Sequence, residues 1–343
     1  AGSDTPRTAM HLGDGRLLGE LKFGPGSGPV VARTIARSDL YTGLRDEAMR
    51  RGVRVEYGKR LATAESSSDG VTARFEDGTE ARGDLLIGAD GLHSRVRRII
   101  DPTAPAAQYV GLLNVGGYAR GVRVPGPLGT FRMFFGKRCF FAYVPHPSGD
   151  VLWFANPFRR REPSKTELEA ISPEQWRAEL YELFADDAMP AVDIIRATPE
   201  IIAGWATYDF PTVPRWHDDR MIIIGDAAHA ASPSSGQGAS MAIEDAVTLA
   251  QCLRDARGIA EAFDAYESLR RARVERVVLH GRRSGSGKAP GPLGRVVRDL
   301  MLRLVFGGSG GRAAASMAWM FEHRIDWDAR VLPREDRYFA RPV

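Results

Sequence analysis

The stretch that most constrains this chain runs from Arg220 to Asp245, RMIIIGDAAHAASPSSGQGASMAIED. Met221 to Ile224 is a short unbroken apolar run, the pattern of a strand buried on both faces of a parallel sheet. Gly225-Asp226 ends it with a turn and a carboxylate. A loop rich in Pro, Ser and Gly follows, through Pro233, Gly236 and Gln237. An amphipathic helix is then expected from about Gly238 to Leu253. A carboxylate at the C-terminal edge of a parallel strand suits a ribose or ribityl hydroxyl, which needs an acceptor. Glycines ahead of a helix let backbone N–H groups approach a flat or anionic ligand. The plain alternative is ordinary α/β connectivity, with Asp226 merely capping its turn.

A second strand, turn and helix start is read over Asp84–Arg97. Asp90 lies at the strand's end and Ser94 is placed to cap the helix. An anion near that helix N-terminus would meet free N–H groups and the positive dipole end. Elsewhere in the first hundred residues, Met10–Leu18 reads as a hairpin with an Asp14-Gly15 turn. Arg33–Ile35 is extended. Ser38 is the expected N-cap of a helix from Asp39 to about Arg51, stopped by Gly52. Val53, Val55 and Tyr57 alternate, so a strand is expected there. Val71–Phe75 and Thr79–Arg82 flank an Asp77-Gly78 turn.

From about Ala104 the texture changes. Thr130–Phe135 and Cys139–Val144 form an aromatic hairpin around Gly136-Lys137, and Val151–Ala155 continues the sheet. Simple alternation groups Phe131, Met133, Phe135, Cys139, Phe141 and Tyr143 on its buried face, with Arg132, Phe134, Phe140 and Ala142 opposite. Such a sheet either fills a core or presents one face to a flat substrate. Ser172-Pro173-Glu174-Gln175 is a capping box opening a helix that buries Trp176, Leu180 and Leu183. Beyond Leu253, helices are expected over Ile259–Leu279, Arg295–Phe306 and Arg312–His323. Residues 284–294, rich in Gly and Pro, read as a mobile link.

At 343 residues the chain has room for two domains and a large core. Lys+Arg 47 against Asp+Glu 43 leaves only +4, so no nucleic-acid footprint is expected. Arg159-Arg160-Arg161 and Arg270-Arg271-Arg273 read as solvated surface. Cys139 and Cys252 make no disulfide framework, which fits a reducing cytoplasm. No signal peptide and no bilayer-spanning run is found. No metal site is expected.

The GDAAH…P…GQG…EDA string and the Asp90-Gly91 turn together resemble the flavin-binding motifs of the single-component FAD-dependent aromatic hydroxylases, the group A flavoprotein monooxygenases. The resemblance covers about residues 8 to 330. It implies an α/β fold with a doubly wound FAD-binding domain over 1–103 and 216–280, incomplete at its N-terminus. An inserted β-sheet substrate domain would span 104–215 and a C-terminal helical region 281–343. It implies FAD, NADPH or NADH as co-substrate, and dioxygen. A small aromatic or unsaturated substrate would be hydroxylated or epoxidised through a C4a-hydroperoxyflavin. FAD contacts are implied for Arg37, Leu61 (a backbone contact to adenine), Asp90, Asp226, Pro233, Gly236, Gln237, Gly238 and Ala239. Amides of Gly236 to Ala239 would stabilise negative charge on the pyrimidine side, and Pro233 would shape the oxygen-facing loop. No general base declares itself; His229, His146 and Tyr143 are the candidates.

The GxGxxG pyrophosphate loop of doubly wound dinucleotide folds is not found. Gly24-Pro25-Gly26-Ser27-Gly28-Pro29 fails at the third glycine. Gly308-Ser309-Gly310-Gly311-Arg312-Ala313 fits GxGxxA but reads as a loop, and Gly285-Ser286-Gly287-Lys288 lacks the remaining P-loop residues. The chain is therefore expected to begin after that loop and to bind FAD poorly by itself. A flavin oxidase or reductase of the same fold and a flavin-free binding module stay open; a halogenase lacks its WxWxIP-type tryptophan pair.

Overall fold

A computed structural model of the chain describes residues 2–22, 31–210, 212–288, 291–306 and 317–332. The glycine-rich stretches 24–29 and 308–313, and the start of the helix expected from Arg312, lie outside them. The chain divides into two compact units. One comprises residues 1–56, 109–207 and 283–323, the other 57–108, 208–282 and 324–343.

The first unit is built on a seven-stranded sheet. Its strands lie in the order Ile201–Asp209, Gln108–Ala119, Val151–Asn156, Phe140–Pro145, Thr130–Phe135, Arg7–Leu12 and Leu17–Lys22. The expected 10–18 hairpin forms, and its first strand runs parallel to Thr130–Phe135 with Met10 opposite Met133. Met10, Leu12, Leu18 and Leu21 are buried there with Met133, Phe135, Leu302 and Phe306 around them. Residues 7–22 thus find their apolar partners in the aromatic sheet.

The aromatic hairpin pairs Phe134 with Phe141 and Arg132 with Tyr143. This corrects the expected faces. Residues 136–139 connect the paired residues Phe135 and Phe140, and an even-length connection sets odd-numbered residues opposite even-numbered ones. Directly opposed side chains share a face. Arg132, Phe134, Phe141, Tyr143 and Trp153 therefore lie together on one face, while Phe131, Met133, Phe135, Phe140, Ala142 and Phe154 lie on the other. The first face is the core: Phe134, Phe141, Tyr143 and Trp153 are buried against Trp176, Leu180, Phe184 and Ile194.

Those partners come from the helices Pro173–Phe184 and Ala191–Arg196. The first starts at the capping box read in the sequence. Gln175 N–H donates to Ser172 Oγ at 3.2 Å, and Ser172 N–H donates to Gln175 Oε1 at 2.7 Å. Phe184, rather than Leu183, completes its fully buried stripe. A helix spans Arg37–Arg50, but Ala36 is its N-cap and no side chain caps it, so Ser38 sits inside the helix and not at its start. No strand forms over 53–57, where Val53 is 55% exposed; alternation without a pairing edge does not make a strand. The stretch 284–294, expected to be a mobile link, is helical at both ends, and its residues 289–290 lie outside the described ones. The helix from Ile259 runs on to Ser286, and the next begins at Pro292, where a first-turn proline costs no hydrogen bond, and ends at Phe306.

In the second unit Leu86–Gly88 and Met221–Ile223 pair in parallel, Ile223 opposite Gly88. Met221, Ile222 and Ile223 are all buried, as an unbroken apolar strand requires. Leu61–Ser67, Gly70–Phe75 and Glu80–Gly83 form a three-stranded sheet containing the expected Asp77-Gly78 turn. The helices Arg95–Ile100 and Gly238–Asp255 follow the two parallel strands. Among the described residues no helix is long and apolar enough to cross a membrane.

Candidate functional site

Ile224 N–H donates to Gly88 O at 3.0 Å, so the two parallel strands end side by side and Asp90 and Asp226 emerge at the same carboxyl edge. Gly225 makes the turn into Asp226 at φ 58° and ψ −140°, a conformation open to glycine and costly for other residues. Its N–H donates to Asp245 Oδ2 at 2.8 Å. Asp245 is fully buried and also accepts from His229 Nε2 at 2.5 Å and from Arg270 Nε at 2.7 Å. Arg270 in turn donates to Glu244 at 2.7 Å, and Arg273 to the other Glu244 oxygen at 2.8 Å.

Arg270 is 2% exposed, which corrects its reading as solvated surface. Burial would raise the Asp245 carboxyl, but the His229 bond and charge, Arg270 and the Gly225 N–H hold it below the usual carboxylate range. The EDA part of the motif is thus an internal brace that fixes the turn carrying Asp226. His229 is buried within that brace, as a positioning group.

Asp226 itself is exposed, and no donor among the described residues holds its carboxylate. After it, Pro233–Ser235 forms a short 3-10 turn, with Gln237 N–H bonded to Ser235 Oγ at 3.2 Å. Gly281, on the Ile259–Ser286 helix, lies against this turn. A Cβ at Gly281 would come within 3.0 Å of Ser235 Cβ, so glycine is what allows the close approach. Gly236 has open space where a side chain would stand. The 18-residue helix Gly238–Asp255 starts at Gln237 without any side-chain cap. The first-turn amides, including those of Gly238 and Ala239, have no intrahelical acceptor. A Cβ at Gly238 would be 3.9 Å from Asp226 Oδ1. An open acceptor therefore stands beside open donors, an arrangement suited to a ligand with hydroxyls next to an acceptor-rich ring.

The Asp90 turn is arranged differently. Asp90 accepts from Ser94 Oγ at 2.5 Å, from Arg95 N–H at 2.6 Å and from Val96 N–H at 3.1 Å, while Ser94 Oγ accepts from Arg97 N–H at 2.9 Å. The N–H groups expected to be free for an anion are taken by Asp90 and Ser94, because the turn folds the carboxylate back onto its own helix. Arg97 clamps the two turns together. It is buried, donates to Leu92 O and to Ala227 O, each at 2.8 Å, and lies over the Phe210 ring at 4.3 Å. Leu61 opens the strand beside this turn, where Arg95 Nε donates to Ala62 O at 2.9 Å. Asp226, Pro233, Gly236, Gln237, Gly238, Ala239, Asp90 and Leu61 thus share one unit. Arg37 belongs to the other, exposed at the first position of its helix.

In the sheet unit, the face opposite the helices Pro173–Phe184 and Ala191–Arg196 carries Phe131, Phe140 and Phe154, with Phe131 and Phe154 stacked at 6.2 Å; its Met133 and Phe135 end is covered by Leu302 and Phe306. A polar row borders them: Lys288 Nζ donates to Asn156 Oδ1 at 2.7 Å, and Asn156 Nδ2 donates to Asn114 Oδ1 at 3.1 Å. Tyr143 is buried on the opposite, core face, and its phenol is pushed up by burial, with Arg132 opposing. His146 is exposed in the following turn, bonded to Ser148. Neither His146 nor Tyr143 lies on the Phe131–Phe154 face. Sequence reasoning missed Arg97, Arg270, Asn156 and Lys288. For Arg270 a signal existed: adjacent acids at Glu244-Asp245 and two arginines one helical turn apart at Arg270 and Arg273.

The profile of the FAD binding domain family matches residues 18–280. The FAD-dependent urate hydroxylase of Klebsiella pneumoniae subsp. pneumoniae is 32% identical over 262 residues, covering 74% of this chain and 66% of that protein. The chain thus spans just under two thirds of that relative's length. The 3-hydroxybenzoate 6-hydroxylase 2 of Aquipseudomonas alcaligenes is 27% identical over 296 residues, covering 84% of this chain and 89% of that protein. The crystal structure of Klebsiella pneumoniae HpxO complexed with FAD and uric acid matches with a TM-score of 0.81 at 28% identity, over 94% of this chain and 81% of that one.

Proposed function

Because the chain belongs to the FAD binding domain family, in the class of group A FAD-dependent monooxygenases, we propose that it hydroxylates a small aromatic substrate using NADPH or NADH and dioxygen. The observation that carries the reading is the exposed Asp226 carboxylate beside the uncapped N-terminus of the Gly238–Asp255 helix. Residues there suit FAD. Asp226 would accept a ribityl hydroxyl. Gly238 and Ala239 would offer amide donors to the pyrimidine side of the ring; Gly236 and Gln237, whose N–H groups go to Pro233 O and Ser235 Oγ, would line the approach, with space at Gly236 for close contact. Pro233 would fix the loop facing the reacting edge. Asp90, Leu61 and Arg37 are proposed as further contacts, Asp90 chiefly by holding its turn. When bound, FAD supplies the electron transfer and oxygen activation.

The protein's share is to orient cofactor and substrate and to keep water out. In this reading the unit containing residues 57–108 and 208–282 is the cofactor unit. The sheet unit receives the substrate on its Phe131–Phe154 face, at the half-buried stacked rings, since the opposite face is packed against the helices Pro173–Phe184 and Ala191–Arg196.

Asp226→Ala removes a charged acceptor, a loss worth about 1.5–3 kcal/mol, so FAD affinity is expected to fall by about ten- to a hundredfold. Equilibrium titration of FAD into the wild type and the variant measures this, and unchanged affinity would count against the assignment. The activity is tested by oxygen uptake with reduced nicotinamide and a panel of aromatic substrates. Nicotinamide oxidation without oxygen incorporation into any product would make the protein an oxidase instead.

A further inference from the structure

The row Asn114–Asn156–Lys288 ends in uncommitted hydrogen-bond donors. A lysine ammonium can only donate, so Asn156 must turn its oxygen to Lys288 Nζ, at 2.7 Å. Its amide hydrogens then go to Leu113 O and Asn114 Oδ1, both at 3.1 Å. This turns the side-chain oxygen of each asparagine inward along the row, each accepting one bond there. What remains for an incoming group is the rest of the Lys288 N–H bonds and the Asn114 Nδ2 hydrogens. Lys288 is 5% exposed. Among the described residues it has no carboxylate partner; Asn156 and the ring of Phe140, 4.2 Å from Nζ, are what it meets, with Phe154 at 5.7 Å. A buried ammonium without a counter-ion is costly, and aromatic faces offset only part of that. Two of the flanking rings, Phe131 and Phe154, are half-buried and stacked, a surface for another planar ring.

We propose that this row is a subsite for the ionised group of a planar aromatic substrate, with Lys288 as the specificity-determining cation and Asn114 as a second donor. The proposal rests on the sheet unit being the substrate unit. The counter-ion that Lys288 lacks among the described residues arrives with the ligand, and the half-buried rings of Phe131 and Phe154 hold the ligand's apolar body. Burial pulls the free ammonium down to about 7. Its titratable neighbour among the described residues is the Cys139 thiol, which burial keeps protonated. Affinity for an anion should therefore decline as pH rises above about 7.

The test is equilibrium binding to the whole chain, followed by tryptophan fluorescence and calorimetry, with benzoate and its neutral isostere benzamide as probes. At mildly acidic pH the wild type is expected to bind benzoate about tenfold or more tightly than benzamide, as a hydrogen bond to a charged group implies. Lys288→Met and Lys288→Gln should lose that preference and bind benzamide as before. Asn114→Asp, which keeps Lys288 but places a carboxylate in the row, should lose it too, and serves if both lysine variants fail to fold. A benzoate preference that survives in any folded variant overturns the role of Lys288 and leaves the sheet as the substrate unit. If the wild type binds neither probe, the reading of the sheet as substrate unit falls together with the subsite.

Discussion

Arg270→Met is expected to destabilise the protein by about 3–5 kcal/mol, the cost of leaving a buried charge without its partner. Asp245 is fully buried and Arg270 nearly so, 2.7 Å apart. Without the guanidinium, Asp245 keeps the His229 and Gly225 bonds but loses its permanent cation, and Glu244 loses one of its two arginine partners while keeping Arg273. Because Asp245 holds the Gly225 N–H, the turn carrying Asp226 should loosen, and FAD affinity should fall with stability. The acid side carries a second signature. The folded Asp245 carboxyl lies below its ordinary range, so its contribution is present above the unfolded value, about 3.9, and is lost as pH falls through the folded one. Removing Arg270 weakens that depression, so the acid transition should move to higher pH. Denaturant titration and acid unfolding followed by circular dichroism measure both; a variant with wild-type stability and an unmoved acid midpoint would contradict the brace.

The two faces of the aromatic sheet should respond differently to the same truncation. Phe141 is fully buried, stacked on Trp153 at 5.5 Å and edge-on to Phe184 at 5.2 Å. Phe141→Ala should therefore cost about 3–5 kcal/mol, with no separate effect on catalysis in molecules that stay folded. Phe131, half-buried on the other face, has Phe154 as its ring partner at 6.2 Å. Phe131→Ala should leave the melting temperature nearly unchanged. It should instead raise KM or divert reduced nicotinamide into hydrogen peroxide, because a poorly seated substrate is oxidised less often per turnover. Thermal melts paired with peroxide-to-product ratios separate the outcomes. If Phe131→Ala unfolds the protein as Phe141→Ala does, both faces are core and the substrate must bind elsewhere.

Local features were legible in the sequence because their causes are local. The apolar run Met221–Ile224, the Gly225-Asp226 turn, the Ser172 capping box and the helix from Gly238 all depend on residues within a few positions of one another. The family followed from the same stretch, since its motif is a contiguous strand, loop and helix. Tertiary structure decided what depends on distant partners. The hairpin faces turned on the parity of the 136–139 connection and the register it sets, which alternation within each strand cannot supply. Arg270 looks like any surface arginine until the helix carrying it meets Glu244-Asp245, and Asp90 looks free until its turn folds back on the Arg95–Ile100 helix. Lys288 sits in a Gly/Pro-rich segment that reads as a loop, and its burial depends on Phe140 and Asn156, more than a hundred residues away in sequence. Burial and charge pairing are properties of the packed chain, so a residue's chemistry is fixed only when its neighbours are.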